Sequence, residues 1–243
     1  MVSLMNEYLT VMSQVILDNE GTLDKYIGDA IVAFYGAPAP VEDHEIKSCY
    51  TALAMQKALD DLRVKWKKED SWPDIVYSMQ HRIGLNCGPM VTGNMGSEMR
   101  MNYTMMGDTV NLAARLESSA KQYGVYNFVG ENIYEVAKSQ FVFRFLDFVK
   151  VKGKNIPVKV YELVSNKNDA SSEMIKLIKA FEKGLDYYYK QEWDSAIKQF
   201  QKSESLEDHF ESRNTNPSNI YIERCKMFLN NPPGENWDGV WAM

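Results

Sequence analysis

The sequence predicts an α+β fold, in which helices cover an antiparallel sheet, followed by a small all-α unit. Three observations lead to this prediction. Helical and alternating apolar patterns follow one another along the first two-thirds of the chain. A polar stretch without periodicity then covers residues 165–172. Beyond it, only the helical period returns.

The first predicted elements are a helix, a hairpin and a second helix. Apolar residues from Leu4 to Ile16 recur at helical spacing, and a glycine follows them. Residues 21–25 and 30–35 predict two strands joined by a turn at Gly28 and Asp29. Residues 43–68 predict an amphipathic helix, because charges occupy the face opposite its apolar residues.

The next segments predict two hairpins with a helix between them. Residues 82–87 and 89–93 alternate as paired strands, residues 109–123 form a helix, and residues 143–151 and 158–164 form a closing hairpin. These patterns predict a first domain at 1–164, a linker at 165–172 and a helical unit at 173–243.

The helical unit has the spacing of a tetratricopeptide repeat. Gly184 and Tyr187 are followed by Ala196 and Phe200 at the intervals of that motif, and a third helix is predicted over 219–230. A repeat hairpin of this kind buries little surface alone, so we expect the side chains of Trp193, Phe200, Trp237 and Trp241 to be buried. The unit is also the candidate surface for a protein partner.

Net charge, cysteine spacing and the length of apolar runs argue against several classes of protein. The 243 residues carry a net charge of −6, which argues against a nucleic-acid partner. Cys49, Cys87 and Cys225 lack C-x-x-C spacing and nearby histidine clusters, so neither disulfides nor a zinc site is expected. No apolar run reaches the roughly 18 residues that cross a bilayer. We therefore expect a cytoplasmic segment that makes no membrane contact.

Two motifs contain polar and charged residues that suit a catalytic or binding site. Residues 25–29 read Lys-Tyr-Ile-Gly-Asp, and residues 102–117 read Asn-Tyr-Thr-Met-Met-Gly-Asp-Thr-Val-Asn-Leu-Ala-Ala-Arg-Leu-Glu. With these motifs the chain resembles the catalytic domain of the class III nucleotidyl cyclases of bacterial type, from Met1 to about Leu163. The resemblance implies a ferredoxin-like sandwich that converts ATP to 3′,5′-cyclic AMP and pyrophosphate with two Mg²⁺ or Mn²⁺ ions.

The resemblance also implies roles for residues of the first motif and for Thr104. Asp29 would bind the metal ions, while Lys25 would donate to adenine N1 and Thr104 would accept from the exocyclic amine. Each residue also has a structural interpretation. A Gly-Asp turn is common for conformational reasons, and a strand lysine is commonly solvated.

Further candidate site residues lie on the helix after Thr104 and on the closing hairpin. Asn111 and Arg115 are four residues apart and share a helix face. The resemblance implies that Asn111 orients the ribose, that Arg115 stabilises charge on the α-phosphate and that Lys152 binds the terminal phosphates. Asp108 is expected to cap the helix.

The remaining histidines and methionines receive structural interpretations. His44, His81 and His209 share no spacing and are expected to be structural or surface residues. The Met-rich residues 95–106 suit an interface that repacks.

The family's other metal aspartate lies in a Phe-x-Asp-Ile-x-Gly-Phe-Thr type motif, on a strand before the first helix, which residues 1–243 do not contain. We therefore expect this chain alone to be nearly inactive and the parent protein, which could be membrane-anchored upstream, to be an adenylate cyclase. In the family each site is shared across a dimer, so a head-to-tail homodimer is expected. The alternative is a non-catalytic regulatory module that binds nucleotide and recruits a partner through its helical tail.

Overall fold

The structure is a computed structural model that describes residues 1–150, 157–207, 215–234 and 236–242. Its helices are α1 (Val2–Asp18), α2 (His44–Glu69), α3 (Asp74–Tyr77), α4 (Asp108–Tyr123), α5 (Glu131–Ala137), α6 (Ser172–Tyr189), α7 (Trp193–Glu204) and α8 (Pro217–Asn230). Its strands are β1 (Thr22–Ile27), β2 (Ala30–Phe34), β3 (Ile83–Leu85), β4 (Val91–Ser97), β5 (Arg100–Met106), β6 (Asn127–Gly130), β7 (Phe141–Lys150), β8 (Val158–Asn166) and β9 (Trp241–Ala242).

The main sheet is mixed, with five strands in the order β3-β6-β8-β7-β9. Strand β8 pairs antiparallel with both β6 and β7. The pairs β3–β6 and β7–β9 are parallel, so the expected antiparallel sheet is wrong for these two pairs. The reason is connectivity: β3 reaches β6 through a long connection that contains α4, and such crossovers give parallel neighbours.

Two hairpins lie beside this sheet. β1 and β2 pair from Thr22 with Phe34 to Ile27 with Ala30, as the sequence predicts. The predicted pairing of 82–87 with 89–93 is wrong, because β3 pairs with β6 whereas β4 pairs with β5. Gly84 of β3 shows why: a Cβ there would lie 2.2 Å from the carbonyl oxygen of Ala113, so β3 is packed against α4 rather than against its sequence neighbour.

The Met-rich residues form the β4–β5 hairpin. Met99, Met101 and Met106 of this segment are exposed at 97%, 59% and 61%. These apolar side chains therefore lie on the surface. The interface that the sequence predicts for this segment remains a prediction.

The helical unit shares a core with the sheet. One apolar cluster joins Leu116 of α4, Phe128 of β6 and Leu146 of β7 to Phe181 of α6 and Tyr221 of α8. Its members therefore come from both sides of the predicted boundary. Within the predicted linker, residues 165–166 belong to β8 and 167–169 form a 3₁₀ turn. The domain limits at 164 and 173 remain predictions.

Buried ion pairs cross the same boundary. The Asp147 carboxylate of β7 accepts from the Tyr123 hydroxyl at 2.7 Å and from Arg224 Nη1 of α8 at 2.6 Å. Arg144 of β7 is likewise paired with Glu162 of β8 and with Glu207, which follows α7. These buried ion pairs fix the position of the helical unit on the sheet.

The end of the chain returns to the sheet. Trp237 lies against Tyr188, Trp193 and Phe228, with ring centroids 5.1–5.5 Å apart. The backbone of β9 then pairs with β7, with Val149 opposite Trp241. Trp193 and Phe200 are buried, as expected, whereas the side chain of Trp241 lies outside the description. Helices α6 and α7 meet at Gly184, where a Cβ would lie 2.6 Å from the Phe200 ring.

Within the described ranges, no helix combines the length and the apolar character that crossing a membrane requires.

Candidate active site

The candidate site begins where the two hairpins meet. Lys25 lies on β1 and Thr104 on β5, and Lys25 Nζ donates a hydrogen bond to Thr104 Oγ1 at 3.1 Å. The two residues are 79 positions apart. The structure therefore brings together the two side chains that the sequence comparison assigned to base recognition.

A third residue, Asp24, completes this group, and sequence reasoning gave it no role. Thr104 Oγ1 donates to Asp24 Oδ2 at 2.6 Å, and Lys25 Nζ lies 3.4 Å from the same oxygen. The Asp24 side chain is only 2% exposed, whereas that of Lys25 is 43% exposed. Its position directly before Lys25, the first residue of the motif, was the one signal that could have identified Asp24.

These contacts fix the hydrogen-bonding character of Thr104. A hydroxyl has one proton and two acceptor lone pairs. Its proton is directed at Asp24, and one lone pair receives Lys25. Thr104 can therefore offer only an acceptor to a third group, while Lys25, with three ammonium protons, keeps donors available.

Asp29 occupies the turn between β1 and β2 and is exposed. Its neighbour Gly28 has φ +64°, a left-handed conformation that favours glycine. The charge of Asp29 acts on α1, where burial first and Asp29 second raise the pKa of Tyr8 to about 12. Lys25, on the same hairpin, contacts β5 through Thr104.

Tyr8 contacts a neutral histidine. The Tyr8 hydroxyl lies 3.1 Å from His81 Nδ1, and burial, with a smaller contribution from Arg63, lowers the pKa of His81 to about 4. The ring is therefore uncharged at neutral pH and shares one hydrogen bond with Tyr8. This agrees with the structural role expected of His81.

Helix α4 follows β5 after a single residue and presents the second pair of predicted residues. Asn111 and Arg115 are exposed on one face, while Leu112 and Leu116 are buried beneath them. The helix begins at Asp108 with Gly107 as its N-cap, and no side chain caps it. The expected capping role of Asp108 is therefore wrong, because Asp108 already belongs to the first helical turn.

The last predicted site residue, Lys152, lies outside the described residues, and so does His209. The described part of the site thus consists of Asp24, Lys25 and Asp29 on one hairpin, Thr104 on the other, and Asn111 and Arg115 on α4.

This fold and these motifs define a nucleotidyl cyclase domain. The family model described as the adenylate and guanylate cyclase catalytic domain matches residues 1–165, so the chain belongs to the class III nucleotidyl cyclases. Adenylate cyclase 1 of Rhizobium meliloti (strain 1021) is 31% identical over 163 residues, which cover 67% of this chain and 24% of that protein. The terminal-differentiation specific adenylate cyclase of Dictyostelium discoideum is 29% identical over 228 residues, 92% of this chain and 10% of that protein.

Solved structures show the same fold. The adenylyl cyclase CyaB from P. aeruginosa superposes with a TM-score of 0.61 at 30% identity, over 70% of this chain and 85% of that one. The guanylyl cyclase Cya2 superposes with a TM-score of 0.58 at 28% identity, over 70% and 83%. Cyclases of both base specificities therefore resemble this chain. The chain spans only 10% and 24% of the two curated relatives' own lengths.

Proposed function

We propose that this chain is the catalytic region of an adenylate cyclase, which converts ATP to 3′,5′-cyclic AMP and pyrophosphate. The observation that carries the proposal is the hydrogen-bonded group of Asp24, Lys25 and Thr104. It offers a base one donor, the ammonium group of Lys25, beside one acceptor, the hydroxyl oxygen of Thr104.

The hydrogen-bonding groups of adenine are complementary to this donor and acceptor, and those of guanine are not. Adenine presents an acceptor at N1 and a donor at its exocyclic amine, so Lys25 can donate to N1 and Thr104 can accept from the amine. Guanine presents a proton at N1 and an acceptor at O6. Thr104, whose proton is held by Asp24, cannot donate to that oxygen. Mispaired polar groups of this kind cost about 1–3 kcal/mol each.

The helix α4 supplies the proposed contacts to ribose and phosphate. Asn111 orients the ribose, and Arg115 stabilises the negative charge that grows on the α-phosphate as the 3′-oxygen attacks. Their exposure supports this role, because a nucleotide can reach both side chains without any change in the core. Lys152 is the proposed contact to the terminal phosphates.

Asp29 is the proposed protein ligand of Mg²⁺ or Mn²⁺. An exposed carboxylate at a turn fits such an ion, which typically keeps several waters and takes one or two carboxylates together with substrate phosphates. When bound, the two ions would activate the ribose 3′-hydroxyl and neutralise the leaving pyrophosphate.

The proposal includes a site shared between two copies of the chain, as in the family. Asp29 lies in the β1–β2 turn, and Lys25 contacts Thr104 of β5. A head-to-tail homodimer would place Asp29 of one copy opposite the base-reading group of the other and form two equivalent sites. The helical unit, with its proposed limits at 173–243, could then bind a regulatory protein without entering the site.

The test is cyclic nucleotide formation from ATP and from GTP with Mn²⁺. It is run on the 243-residue chain and on a longer form that carries the family's first metal aspartate. We expect the longer form to make cyclic AMP and the shorter chain to make little. Binding of ATP without turnover by the longer, dimeric form would favour the regulatory module instead.

A further inference from the structure

Three potential metal ligands, none of them among the candidate active-site residues, meet at the start of α2. Cys87, in the loop after β3, has its Sγ 3.4 Å from His44 Nε2 and 3.3 Å from Glu45 Oε1. His44 Nε2 and Glu45 Oε1 are 3.2 Å apart. Since 42 and 43 residues separate Cys87 from the two α2 residues, spacing gave no signal of the cluster.

The triangle of ligand atoms has the size of one face of a zinc tetrahedron. With Zn–S about 2.3 Å, Zn–N about 2.05 Å and Zn–O about 2.1 Å, tetrahedral angles give edges of about 3.6 Å for S–N, about 3.6 Å for S–O and about 3.4 Å for N–O. The observed edges of 3.4, 3.3 and 3.2 Å are each shorter by no more than about 0.3 Å. Small side-chain movements would therefore admit the ion.

Neighbouring groups hold two of the ligands in place. His44 Nδ1 lies 3.3 Å from the carbonyl oxygen of Val41, which accepts its proton. This contact assigns the proton to Nδ1 and leaves the lone pair of Nε2 directed at the triangle, as in many metal-binding histidines. Asn132 Nδ2 donates to the carbonyl of Cys87 at 2.8 Å and fixes the loop.

We propose that His44, Glu45 and Cys87 form a binding site for Zn²⁺ or a similar thiophilic divalent transition metal. Binding breaks the S–H bond of Cys87, forms one bond each to sulfur, nitrogen and oxygen, and releases one proton to solvent. Water takes the fourth position, because the His44 side chain is 40% exposed and that of Glu45 is 16% exposed.

The ligand set separates this site from the proposed Asp29 site. Thiolate and imidazole select zinc-like ions, whereas Mg²⁺ prefers oxygen ligands. Without metal the thiol is protonated, because burial, with Glu45 adding to it, raises the pKa of Cys87 to about 11. Mg²⁺ binds sulfur too weakly to displace that proton.

The cluster is also connected to α4. Asn86 Nδ2 donates to the carbonyl of Thr109 at 3.0 Å, and Thr109 Oγ1 donates to the carbonyl of Pro89 at 2.9 Å. The loop that carries Cys87 is therefore held between the first turns of α2 and α4, and α4 carries Asn111.

Co²⁺ is the probe, because its spectrum reports both thiolate ligation and coordination geometry. Titrating the metal-free 243-residue chain should produce a sulfur-to-cobalt charge-transfer band and the intense visible bands of tetrahedral Co²⁺, saturating at one ion per chain. Zn²⁺ should abolish both signals, and excess Mg²⁺ should leave them unchanged.

Variants of the three proposed ligands test which side chains produce the cobalt bands. Cys87→Ser should remove the charge-transfer band, while Cys225→Ala and Glu42→Gln, which change a thiol and a carboxylate outside the triangle, should keep it. His44→Gln and Glu45→Gln should each weaken binding by at least about tenfold, since changes in groups that merely support a ligand already cost about 10–100-fold. The proposal is overturned if no band forms, if the band persists in Cys87→Ser, or if Mg²⁺ competes equally with Zn²⁺.

Discussion

Thr104 Oγ1 donates a hydrogen bond to Asp24 Oδ2 at 2.6 Å, and this bond leaves Thr104 only an acceptor towards any base that approaches it. Lys25 contributes the neighbouring donor. Base preference in this chain is therefore expected to depend on three side chains rather than on the two that face the base.

The role of Asp24 can be tested by releasing the proton of Thr104. In Asp24→Ala the hydroxyl becomes able to donate to guanine O6, so the preference for ATP over GTP should fall by about 1–3 kcal/mol, or roughly 5- to 150-fold. Competition of ATP and GTP against a fluorescent nucleotide analogue measures this preference. Thr104→Ser keeps the hydroxyl and should keep the preference. An unaltered preference in both Asp24→Ala and Thr104→Val would contradict the assignment.

Changing Lys25 tests the donor. Lys25→Glu places an acceptor opposite adenine N1, so ATP binding should weaken by about 1–3 kcal/mol and GTP binding should improve relative to ATP. The same competition measurement applies. Lys121→Glu, which makes the same charge change at the end of α4, serves as the control and should leave the nucleotide ratio as it is. If Lys25→Glu also leaves it unchanged, Lys25 does not recognise the base.

Mixing variants tests the shared site. Asp29→Ala and Arg115→Ala should each be nearly inactive in the longer form that carries both metal aspartates. An equimolar mixture should regain up to about a quarter of the activity, because half of the dimers are mixed and each rebuilds one of two sites. Cyclic AMP formation measures the recovery. Inactivity of dimers shown to be mixed would place both residues in the same site.

The ion pair between the sheet and α8 should contribute strongly to stability. Arg224 and Asp147 are 7% and 0% exposed in their side chains, so Arg224→Met leaves a buried carboxylate and should lower the free energy of unfolding by about 3–5 kcal/mol. Adding Asp147→Asn removes that charge while keeping an acceptor for Tyr123, and should recover part of the loss. Urea unfolding of the single and double variants measures the coupling, and simple additivity would show that the two charges do not interact.

His81 should make stability depend on pH. Its pKa of about 4 in the folded state lies below its ordinary value of 6.5, so between these values only the unfolded chain binds the proton. The free energy of unfolding should therefore fall as the pH is lowered, by about 2 kcal/mol from pH 7 to pH 5 through this residue. Urea unfolding at both pH values gives the difference. His81→Asn, whose amide can either donate to Tyr8 or accept from it, should lose about that much of the pH dependence, and an equal dependence in both proteins would refute the assignment.

Local pattern predicted the longer helices, the β1–β2 hairpin and the pairing of β7 with β8, but not the short helices α3 and α5 or the partners of β3, β4 and β6. Apolar periodicity is a property of neighbouring residues, so it located α1, α2 and α4 within one to two residues of their observed limits. Strand pairing depends on which distant segment offers the better packed neighbour. Gly84 allows β3 to approach α4, and this contact places β3 beside β6 instead of β4.

The sequence by itself determined the class of chemistry, because the motifs at 25–29 and 102–117 fix which polar groups are available and in what order. Only the tertiary structure decided what those groups can do. It placed Thr104 against Asp24 and so assigned the hydroxyl proton. It also joined α6–α8 to the sheet through buried ion pairs and brought Cys87 to His44 and Glu45. In each case the deciding quantity is a distance between residues far apart in the chain, and such distances are set by packing of the whole fold rather than by local sequence.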